Sequence, residues 1–179
     1  MMSPLSIELA ENHWLEQLKD GSHVLIRPLR PEDREREAAF IAGLSAEARH
    51  FRFGCSLKEA SPALLDHLMQ VDYRSTMAFV ALTVQEGQPI QVGVARYGAT
   101  DDEEQCECAV VVADDWRRRG LAAALMRHLI DYARRQGFRQ VYSLDAPSNQ
   151  AVQSLARHLG STGTRNPEDP GQLIHRLRL

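Results

Sequence analysis

The pattern of apolar and polar residues predicts two β-hairpins in the first half of the chain. The mixed runs 13–19 and 22–29 flank Asp20-Gly21, a dipeptide that favours a tight turn between antiparallel strands. Two further apolar, β-rich runs between residues 77 and 97 are joined by segment 86–89, which contains Gly and Pro. Because these residue types form turns, the two runs are predicted to pair as a second hairpin.

Helices are predicted where a residue that suits a helix start precedes a run of helix formers. Pro31 opens a helix that extends to about Leu44, because proline is tolerated in a first helical turn and the acidic residues after it suit the helix dipole. Ser45 and Ser61 begin two further segments, since a serine side chain accepts hydrogen bonds from the free N–H groups of a first turn. These helices lie between the two hairpins.

The second half of the chain predicts alternating strands and helices. The predicted elements are a strand over 105–113, a helix over 120–136, a strand over 140–145, a helix that Ser148 or Asn149 caps and that ends at Gly160, and a closing strand over 172–179. A strand–helix–strand unit favours parallel pairing, whereas hairpins are antiparallel. The fold class is therefore predicted as mixed α/β (α+β): a mostly antiparallel sheet with one central parallel strand pair, flanked by helices.

The bulk composition is typical of one soluble globular domain. The chain has 179 residues, 44% of them hydrophobic and 25% charged, which suits a single domain over 1–179 with an N-terminal extension over 1–22 that carries the first hairpin strand. A formal net charge of −3 disfavours a nucleic-acid partner. No apolar run reaches the roughly 18 residues of a membrane span, and the N-terminus has no signal-peptide core. We expect a cytoplasmic protein without a membrane partner.

Cysteine and histidine positions predict neither disulfides nor a metal site. Cys55, Cys106 and Cys108 are odd in number and contain no C-x-x-C pair. The seven histidines show no spacing of metal ligands. A cysteine nucleophile is disfavoured, because no histidine lies near Cys106 or Cys108 in the sequence and paired small residues on one strand face usually belong to the core.

The segment 117–122 predicts an anion-binding turn. Its Arg-x-x-Gly-x-Ala pattern stands between an apolar strand and an amphipathic helix. A glycine-containing turn at a helix start directs consecutive N–H groups at one anion, and the helix dipole favours negative charge there. This arrangement suits a cofactor that carries a pyrophosphate. The alternative is an ordinary strand-to-helix turn whose arginines are solvated.

Glu107 is the candidate general base. Strand alternation places Glu107, Ala109 and Val111 on one face. A lone carboxylate in an apolar strand is costly to bury unless it is paired or used, so we expect a buried, functional side chain. Burial would strengthen the carboxylate as a base, as general base catalysis at neutral pH requires. An ion pair with a neighbouring arginine at the sheet edge is the alternative.

The residues Arg117-Arg-Arg-Gly-Leu-Ala122 resemble the Q/R-x-x-G-x-G/A acyl-CoA motif of the GNAT acyltransferase superfamily, and the order of elements resembles its fold. Segments 20–33, 71–81 and 106–122 are similar to the acetyltransferase domain of Pat-type bacterial protein lysine acetyltransferases, in which that domain is often fused to a ligase-like region. The resemblance implies a GNAT fold whose central parallel strands splay apart, an acyl-CoA-binding core over 105–160, and acetyl-CoA as co-substrate.

The resemblance also implies roles for individual residues. It makes Glu107 the catalytic base. The cofactor-binding groups that it implies are Val110, Val111 and Val112 along the pantetheine arm, Arg117, Arg118, Arg119, Gly120, Leu121, Ala122 and Ala123 around the pyrophosphate, and Asn149 at the start of the second cofactor helix. Asn149 is equally explained as a helix N-cap. Many members of the family carry a tyrosine as general acid where this chain has Ala156, for which Ser148 and Ser154 are candidate substitutes.

Together these inferences predict an N-acetyltransferase that transfers the acetyl group of acetyl-CoA to a primary amine by direct attack. By resemblance the acceptor is a protein lysine, recognised by loops around 45–60 and 162–171. A small-molecule amine, such as an amino acid, a polyamine or an aminoglycoside, is the alternative acceptor. A non-catalytic acetyl-CoA-binding regulatory domain is the alternative from another class of protein, and the presence of Glu107 counts against it.

Overall fold

A computed structural model describes residues 11–54 and 57–179, whose strands join in one sheet. The strands are β1 Trp14–Gln17, β2 His23–Pro28, β3 Thr76–Gln85, β4 Gln88–Ala99, β5 Gln105–Val112, β6 Gln140–Asp145, β7 Thr162–Arg165 and β8 Leu173–Arg178. The helices of more than one turn are α1 Arg34–Gly43, α2 Ala46–Phe53, α3 Pro62–Met69, α4 Leu121–Arg135 and α5 Gln150–His158. Cys55 and the first ten residues of the predicted extension lie outside the described residues.

The sheet has the strand order β1-β2-β3-β4-β5-β6-β8-β7. Every neighbouring pair is antiparallel except β5 and β6, which are parallel and lie near the centre. The predicted mixed sheet with one central parallel pair is therefore confirmed. The prediction of a single domain over 1–179 stays a prediction.

Both predicted hairpins form, and one of their turns differs from the prediction. Asp20-Gly21 joins β1 to β2, and Gly21 has a φ of 87°. Between β3 and β4 the turn consists of Glu86 and Gly87, with φ of 50° and 76°, rather than the whole segment 86–89. Two residues with positive φ match the right-handed twist of paired strands, so pairing continues up to the turn.

Helices cover the two faces of the sheet differently. On one face, here the α1 face, α1 to α3 pack over β2 to β5, with Phe40, Ile41 and Leu68 in the core. On the opposite face, the α4 face, α4 packs over β3, β4 and β5. Residues Leu121, Leu125 and Leu129 of α4 are buried there, as their helical spacing predicts. No described helix is long and apolar enough to cross a bilayer.

A buried ion-pair cluster joins β2 to α1. Two nitrogens of the Arg27 guanidinium donate to the two carboxylate oxygens of Asp33, each at 2.7 Å, and Asp33 is fully buried. Arg36 and the N–H of Arg30 donate to the same carboxylate. Burial opposes ionisation of Asp33, but the hydrogen bonds from Arg27, Arg36 and Arg30 outweigh it and lower its pKa to about 2. This cluster fixes the start of the helical segment.

Strand β7 corrects the prediction of a loop over 162–171. Its four residues are all exposed, and Thr162–Arg165 shows no apolar alternation in the sequence. It forms because β8 offers an edge with which it pairs from Thr162↔Arg176 to Arg165↔Leu173. The other predicted strands and helices are present within one or two residues of their predicted bounds.

Candidate active site

The parallel strands β5 and β6 separate after only three residue pairs. They pair at Gln105↔Gln140, Cys106↔Val141 and Glu107↔Tyr142. Beyond this point β5 keeps its pairing with β4 as far as Val112, whereas its other edge has no strand partner. The predicted splay of the central strands is therefore present. It leaves main-chain donors and acceptors available at the middle of the sheet, and such groups require partners.

A cleft of about 990 Å³ occupies this gap. It reaches from α2 on the α1 face to α4 and α5 on the other face. The structure brings every predicted site residue to its lining: Glu107, Val110, Val111, Val112, Arg117, Arg118, Arg119, Gly120, Leu121, Ala122, Ala123 and Asn149. Residues that are distant in sequence thus converge as the sequence predicts. Their individual roles stay predictions.

The turn before α4 has the geometry of an anion-binding loop. Arg118 and Gly120 have φ of 62° and 85°, so the backbone reverses twice before the helix begins at Leu121. The N–H of Ala124 donates to the carbonyl of Gly120 at 3.1 Å, whereas the N–H groups of the three residues before it have no partner within the helix. Leu121, Ala122 and Ala123 line the cleft, so these N–H groups belong to a helix N-terminus at the cleft wall, a position where anions are stabilised.

Contacts with the β1–β2 turn hold this loop in place. The N–H of Lys19 donates to the carbonyl of Arg119 at 3.0 Å. Arg119 also forms an ion pair with Asp20 at 3.1 Å and stacks over the Trp116 ring at 4.3 Å. A Cβ on Gly120 would lie 3.2 Å from the Lys19 side chain. The first hairpin therefore holds the predicted anion-binding turn in place.

The three arginines of the motif differ in their surroundings. Arg119 is held by the contacts just described, and Arg117 forms an ion pair with Asp114 at 3.0 Å. The exposed side chain of Arg118 has no hydrogen-bond or ion-pair partner among the described residues. Of the three, Arg118 is therefore the most available to a phosphate.

Asp114 joins the anion-binding turn to α2. Besides its ion pair with Arg117, its carboxylate accepts a hydrogen bond from the N–H of Ser45 at 2.8 Å. Ser45 is the N-cap of α2, and its hydroxyl accepts from the N–H of Ala48. Helix α2 in turn carries Phe51 and Arg52 into the cleft. One carboxylate therefore connects the two sides of the site.

Glu107 lies on the predicted strand face but is exposed, so the prediction that it is buried is wrong. Alternation fixes the face of a strand residue, whereas burial depends on what covers that face. Helix α2 reaches β5 on this face but leaves Glu107 exposed on the wall of the cleft. The carboxylate therefore opens into the cleft at the point where β5 and β6 part.

Two further polar residues, Arg52 and Tyr142, lie beside Glu107. Burial lowers the pKa of Arg52 to about 10, the charge of Arg96 adds to this, and the carboxylates of Glu37 and Glu107 oppose it. On the other side, burial raises the pKa of Tyr142, and the Glu107 carboxylate adds to the rise. Tyr142 could have been found by aligning the two predicted parallel strands, because Glu107 and Tyr142 are paired in their register. Arg52 belongs to segment 45–60, which was predicted to recognise the acceptor, but its position beside Glu107 depends on how α2 packs against the sheet.

A further polar cluster lines the cleft on the α4 face. The Nδ1 of His175 lies 2.8 Å from a carboxylate oxygen of Asp145, which also accepts from the Ser143 hydroxyl at 2.6 Å. All three residues line the cleft, and His175 is buried. Short-range sequence patterns do not predict this cluster, because its members come together only through the pairing of β6 with β8.

Helix α5 begins as predicted and lacks the family's tyrosine. The Asn149 side chain accepts from the N–H of Val152 at 3.3 Å, so Asn149 is the N-cap that the sequence allowed. Ala156 is buried and carries no hydroxyl. Ser148 and Ser154, the candidate substitutes, both line the cleft, and Ser154 accepts from Arg157 at 3.3 Å.

The two described cysteines are buried free thiols. Burial raises the pKa of Cys106 to about 12, and burial also raises the pKa of Cys108, with nearby Cys106, Asp145 and Glu107 adding to the effect. Since the thiolate is the nucleophilic form, neither suits covalent catalysis. Among residues 11–54 and 57–179, no three His, Cys, Asp or Glu side chains are grouped as metal ligands would be.

Comparison with known families decides the class of this site. The profile of the acetyltransferase (GNAT) family matches residues 40–160. The chain belongs to this family. It is 59% identical over 168 residues to acetyltransferase PA5475 of Pseudomonas aeruginosa, covering 94% of this chain and 90% of that protein. It is 28% identical over 158 residues to acetyltransferase Pat of Mycolicibacterium smegmatis, covering 88% of this chain but only 46% of that protein.

Solved structures of GNAT proteins show the same fold. The GNAT domain of S. lividans PAT superposes with a TM-score of 0.85 at 25% identity, over 93% of this chain and 97% of that domain. YncA of Salmonella typhimurium, determined with its cofactor acetyl-CoA, superposes with a TM-score of 0.69 at 20% identity, over 88% and 95% of the two chains. The predictions of a Pat-like GNAT fold and of an N-acetyltransferase are therefore confirmed.

Proposed function

We propose that this GNAT protein acetylates a lysine side chain of a protein, with acetyl-CoA as acetyl donor and Glu107 as general base. The observation that carries the proposal is the position of Glu107 at the fork of β5 and β6, on the wall of the cleft that holds every predicted cofactor-binding residue. The similarity to the GNAT domain of S. lividans PAT supports a protein lysine as acceptor.

The free main-chain groups suit acetyl-CoA. The N–H groups of Leu121, Ala122 and Ala123, with Arg118 beside them, would bind the pyrophosphate. The unpaired edge of β5 over 110–112 would bind the pantetheine arm. Ala122 replaces the second glycine of the motif without obstruction, because it lies within α4 and is not among the residues with positive φ. Bound in this way, acetyl-CoA supplies an activated acetyl thioester.

Glu107 would remove the proton of the acceptor ammonium. A lysine amine titrates near 10.4, so at neutral pH it is protonated and cannot attack. An exposed carboxylate reaches this proton directly or through one water. Ala156 supplies no acid for the departing thiolate, which can take a proton from water. Free thiols at Cys106 and Cys108 fit a protein of the reducing cytoplasm.

The test compares Glu107→Gln with Glu47→Gln, a matched control because Glu47 is an exposed carboxylate that lines the same cleft. Release of CoA thiol is measured with lysine-bearing proteins and with a panel of amino acids, polyamines and aminoglycosides. We expect kcat of Glu107→Gln to fall at least about 100-fold, with the Kd for acetyl-CoA unchanged in calorimetry. Glu47→Gln should stay within about twofold of wild type.

Each other result has a definite meaning. Full activity of Glu107→Gln would remove Glu107 as base. Faster turnover on a small amine than on any lysine-bearing protein would favour the small-molecule alternative. Acetyl-CoA binding without turnover on any acceptor would favour the regulatory alternative, and absence of acetyl-CoA binding would overturn the proposal.

A further inference from the structure

We propose that the open sheet surface beside Glu107 docks acceptor proteins whose target lysine is flanked by acidic side chains. We call this surface the arginine face and define it as Tyr142, Leu144, Arg176 and Arg178. The inference rests on the proposed function, because it takes Glu107 as the point of acetyl transfer. It adds the chemical class of the partner segment.

The strand register places these residues in a row with Glu107. Glu107 pairs with Tyr142, and Tyr142 pairs with Arg176 on the next strand. Directly paired residues point to the same face of a sheet, with neighbouring strands about 4.8 Å apart. Arg176 therefore stands two strands, or roughly 10 Å, from Glu107. Arg178 lies on the same face one pleat further along β8.

The arginine face is open and carries charge that the protein does not neutralise. Arg176 and Arg178 are exposed, and the apolar side chain of Leu144 is 37% exposed. Arg176 donates to the Thr164 hydroxyl at 3.1 Å. Neither arginine forms an ion pair with a carboxylate among residues 11–54 and 57–179.

A third cation borders Glu107 from the opposite side. Arg52 lines the cleft and is half-buried, and it forms no ion pair with a carboxylate in the described part of the chain. The nearby carboxylate of Glu37 is already engaged by Arg96 at 3.2 Å and by Gln91 at 2.6 Å. With a pKa of about 10, Arg52 remains a cation at neutral pH. Glu107 is therefore flanked by Arg52 on α2 and by Arg176 on β8.

These charges favour one kind of acceptor. A lysine ammonium that approaches Glu107 alone is repelled by the flanking guanidinium groups, whereas acidic neighbours of that lysine are attracted by them. The surface is an open face that extends over two strands and includes Leu144, which suits an extended protein segment. Small amines are usually enclosed in concave pockets. The acidic loop 101–104 adjoins the Arg178 end through Gln105 and Gln140, so we expect Arg176 to contribute more than Arg178.

The experiment uses two peptides that differ only around one lysine, one with flanking glutamates and one with flanking glutamines. Wild type is compared with Arg176→Gln/Arg178→Gln and with Arg34→Gln/Arg134→Gln. The second pair is a matched control, because it removes two surface arginines that pair with Asp66 and Asp131 elsewhere. Within each variant, kcat/KM for the glutamate peptide is divided by kcat/KM for the glutamine peptide, so that a general loss of activity cancels.

We expect wild type to prefer the glutamate peptide by about tenfold at low ionic strength, as two or three rim charges allow. The preference should fall to about twofold in Arg176→Gln/Arg178→Gln and persist in the control. It should also disappear for wild type in 0.5 M NaCl, where the Debye length is only a few ångströms. Equal kcat/KM for both peptides in wild type, or equal losses in the control, would overturn the proposal.

A binding measurement separates this proposal from the proposed function. Fluorescein-labelled versions of both peptides carry norleucine in place of lysine, and their Kd values are measured by anisotropy in the presence of CoA. One possible result is that no peptide is acetylated, but that the glutamate peptide binds more tightly than the glutamine peptide and loses this advantage in Arg176→Gln/Arg178→Gln. This result would support the docking surface and contradict the proposal of lysine acetylation. Equal Kd values for the two peptides in wild type would contradict the docking surface, even if one of the lysine peptides is acetylated.

Discussion

At the scale of single residues, Gly120 links backbone conformation to substrate binding. Its φ of 85° lies in the left-handed region, which costs an alanine about 1 kcal/mol. The conformation directs the chain into α4 and leaves the first-turn N–H groups free. A residue with a Cβ would also push on Lys19, 3.2 Å away.

We therefore expect Gly120→Ala to lower the free energy of unfolding by about 1 kcal/mol and to raise the Kd for acetyl-CoA about fivefold. Gly137→Ala is the control, because Gly137 has a φ of 98°, has no atom within 4 Å of an added Cβ and stands at the far end of α4. It should lose similar stability and bind acetyl-CoA normally. Unfolding by urea and titration calorimetry give both quantities. Weaker binding in both variants would mean that stability alone governs the affinity.

Residue-level prediction from the sequence succeeded where the determinant is local. The face of Glu107 follows from strand alternation, and Asn149 follows from helix capping. The exposure of Glu107 and the presence of Arg52 beside it depend on where α2 packs, which short-range patterns do not encode. The contact of His175 with Asp145 likewise requires the β6–β8 register.

At the scale of elements, the attachment of α1 to β2 depends on Asp33. Its pKa of about 2 in the folded protein lies below its ordinary value of 3.8. The stabilisation is therefore complete above about pH 4 to 5 and is lost as the pH falls through 2, and it amounts to about 2 kcal/mol.

We expect Asp33→Asn to be about 3 kcal/mol less stable than wild type at pH 7, because the buried Arg27 guanidinium loses its counter-charge. The difference should narrow by about 2 kcal/mol between pH 5 and pH 2. Urea unfolding between pH 2 and pH 7 measures this difference in the free energy of unfolding. Asp66→Asn, which removes an exposed ion pair, is the control. Asp72, whose pKa is also about 2, titrates in both proteins and cancels in the difference. A difference that does not change with pH would contradict this account.

Helix α2 depends in a similar way on Asp114, which holds its N-terminus. We expect Asp114→Ala to raise the KM for the best acceptor about tenfold, because a charged hydrogen bond to a helix start is lost and α2 shifts. The Kd for acetyl-CoA should not rise, since Arg117 is released rather than removed. Steady-state kinetics and calorimetry give the two values. The neighbouring Asp115→Ala is the control, and an equal change in its KM would exclude the Ser45 contact as the cause.

Elements were predictable from the sequence where a cap or turn residue marks them, as Ser45, Ser61 and Asp20-Gly21 do. Strand β7 could not be predicted, because its residues are exposed and it forms only by pairing with the edge of β8. The position of the turn at Glu86-Gly87 was predicted correctly, but its length was overestimated. Pro89 was expected to belong to the turn, whereas it lies in strand β4 opposite Val84.

At the scale of the whole molecule, the open edge of β5 should make stability depend on substrate. At a CoA concentration of 100 times Kd, binding stabilises the folded state by about 2.7 kcal/mol, which raises Tm by about 5–10 °C for a chain of this length. Hydrogen exchange should slow most at amides 108–112 and 119–123, beyond the slowing that the added stability gives to all amides that exchange by global unfolding, including those of β2. Scanning calorimetry and exchange mass spectrometry test this expectation. Slowing in these two segments that is no greater than the slowing in β2 would place CoA elsewhere.

The overall sheet was predictable as a mixed fold with one parallel pair, because hairpins and a strand–helix–strand unit have distinct patterns. The width of the gap between β5 and β6 could not be predicted, because it depends on how many residue pairs join these two strands.

Those three pairs have a mechanical consequence. They form a seam between two half-sheets, β1 to β5 and β6 to β8, which the covalent crossover through α4 also connects. Among the described strand pairs this seam has the fewest paired residues, so backbone pairing resists its opening least, while the apolar core that includes Val141 holds the two halves together. Tolerance for acyl chains longer than acetyl would then be set by the stiffness of this seam rather than by the walls of a pocket.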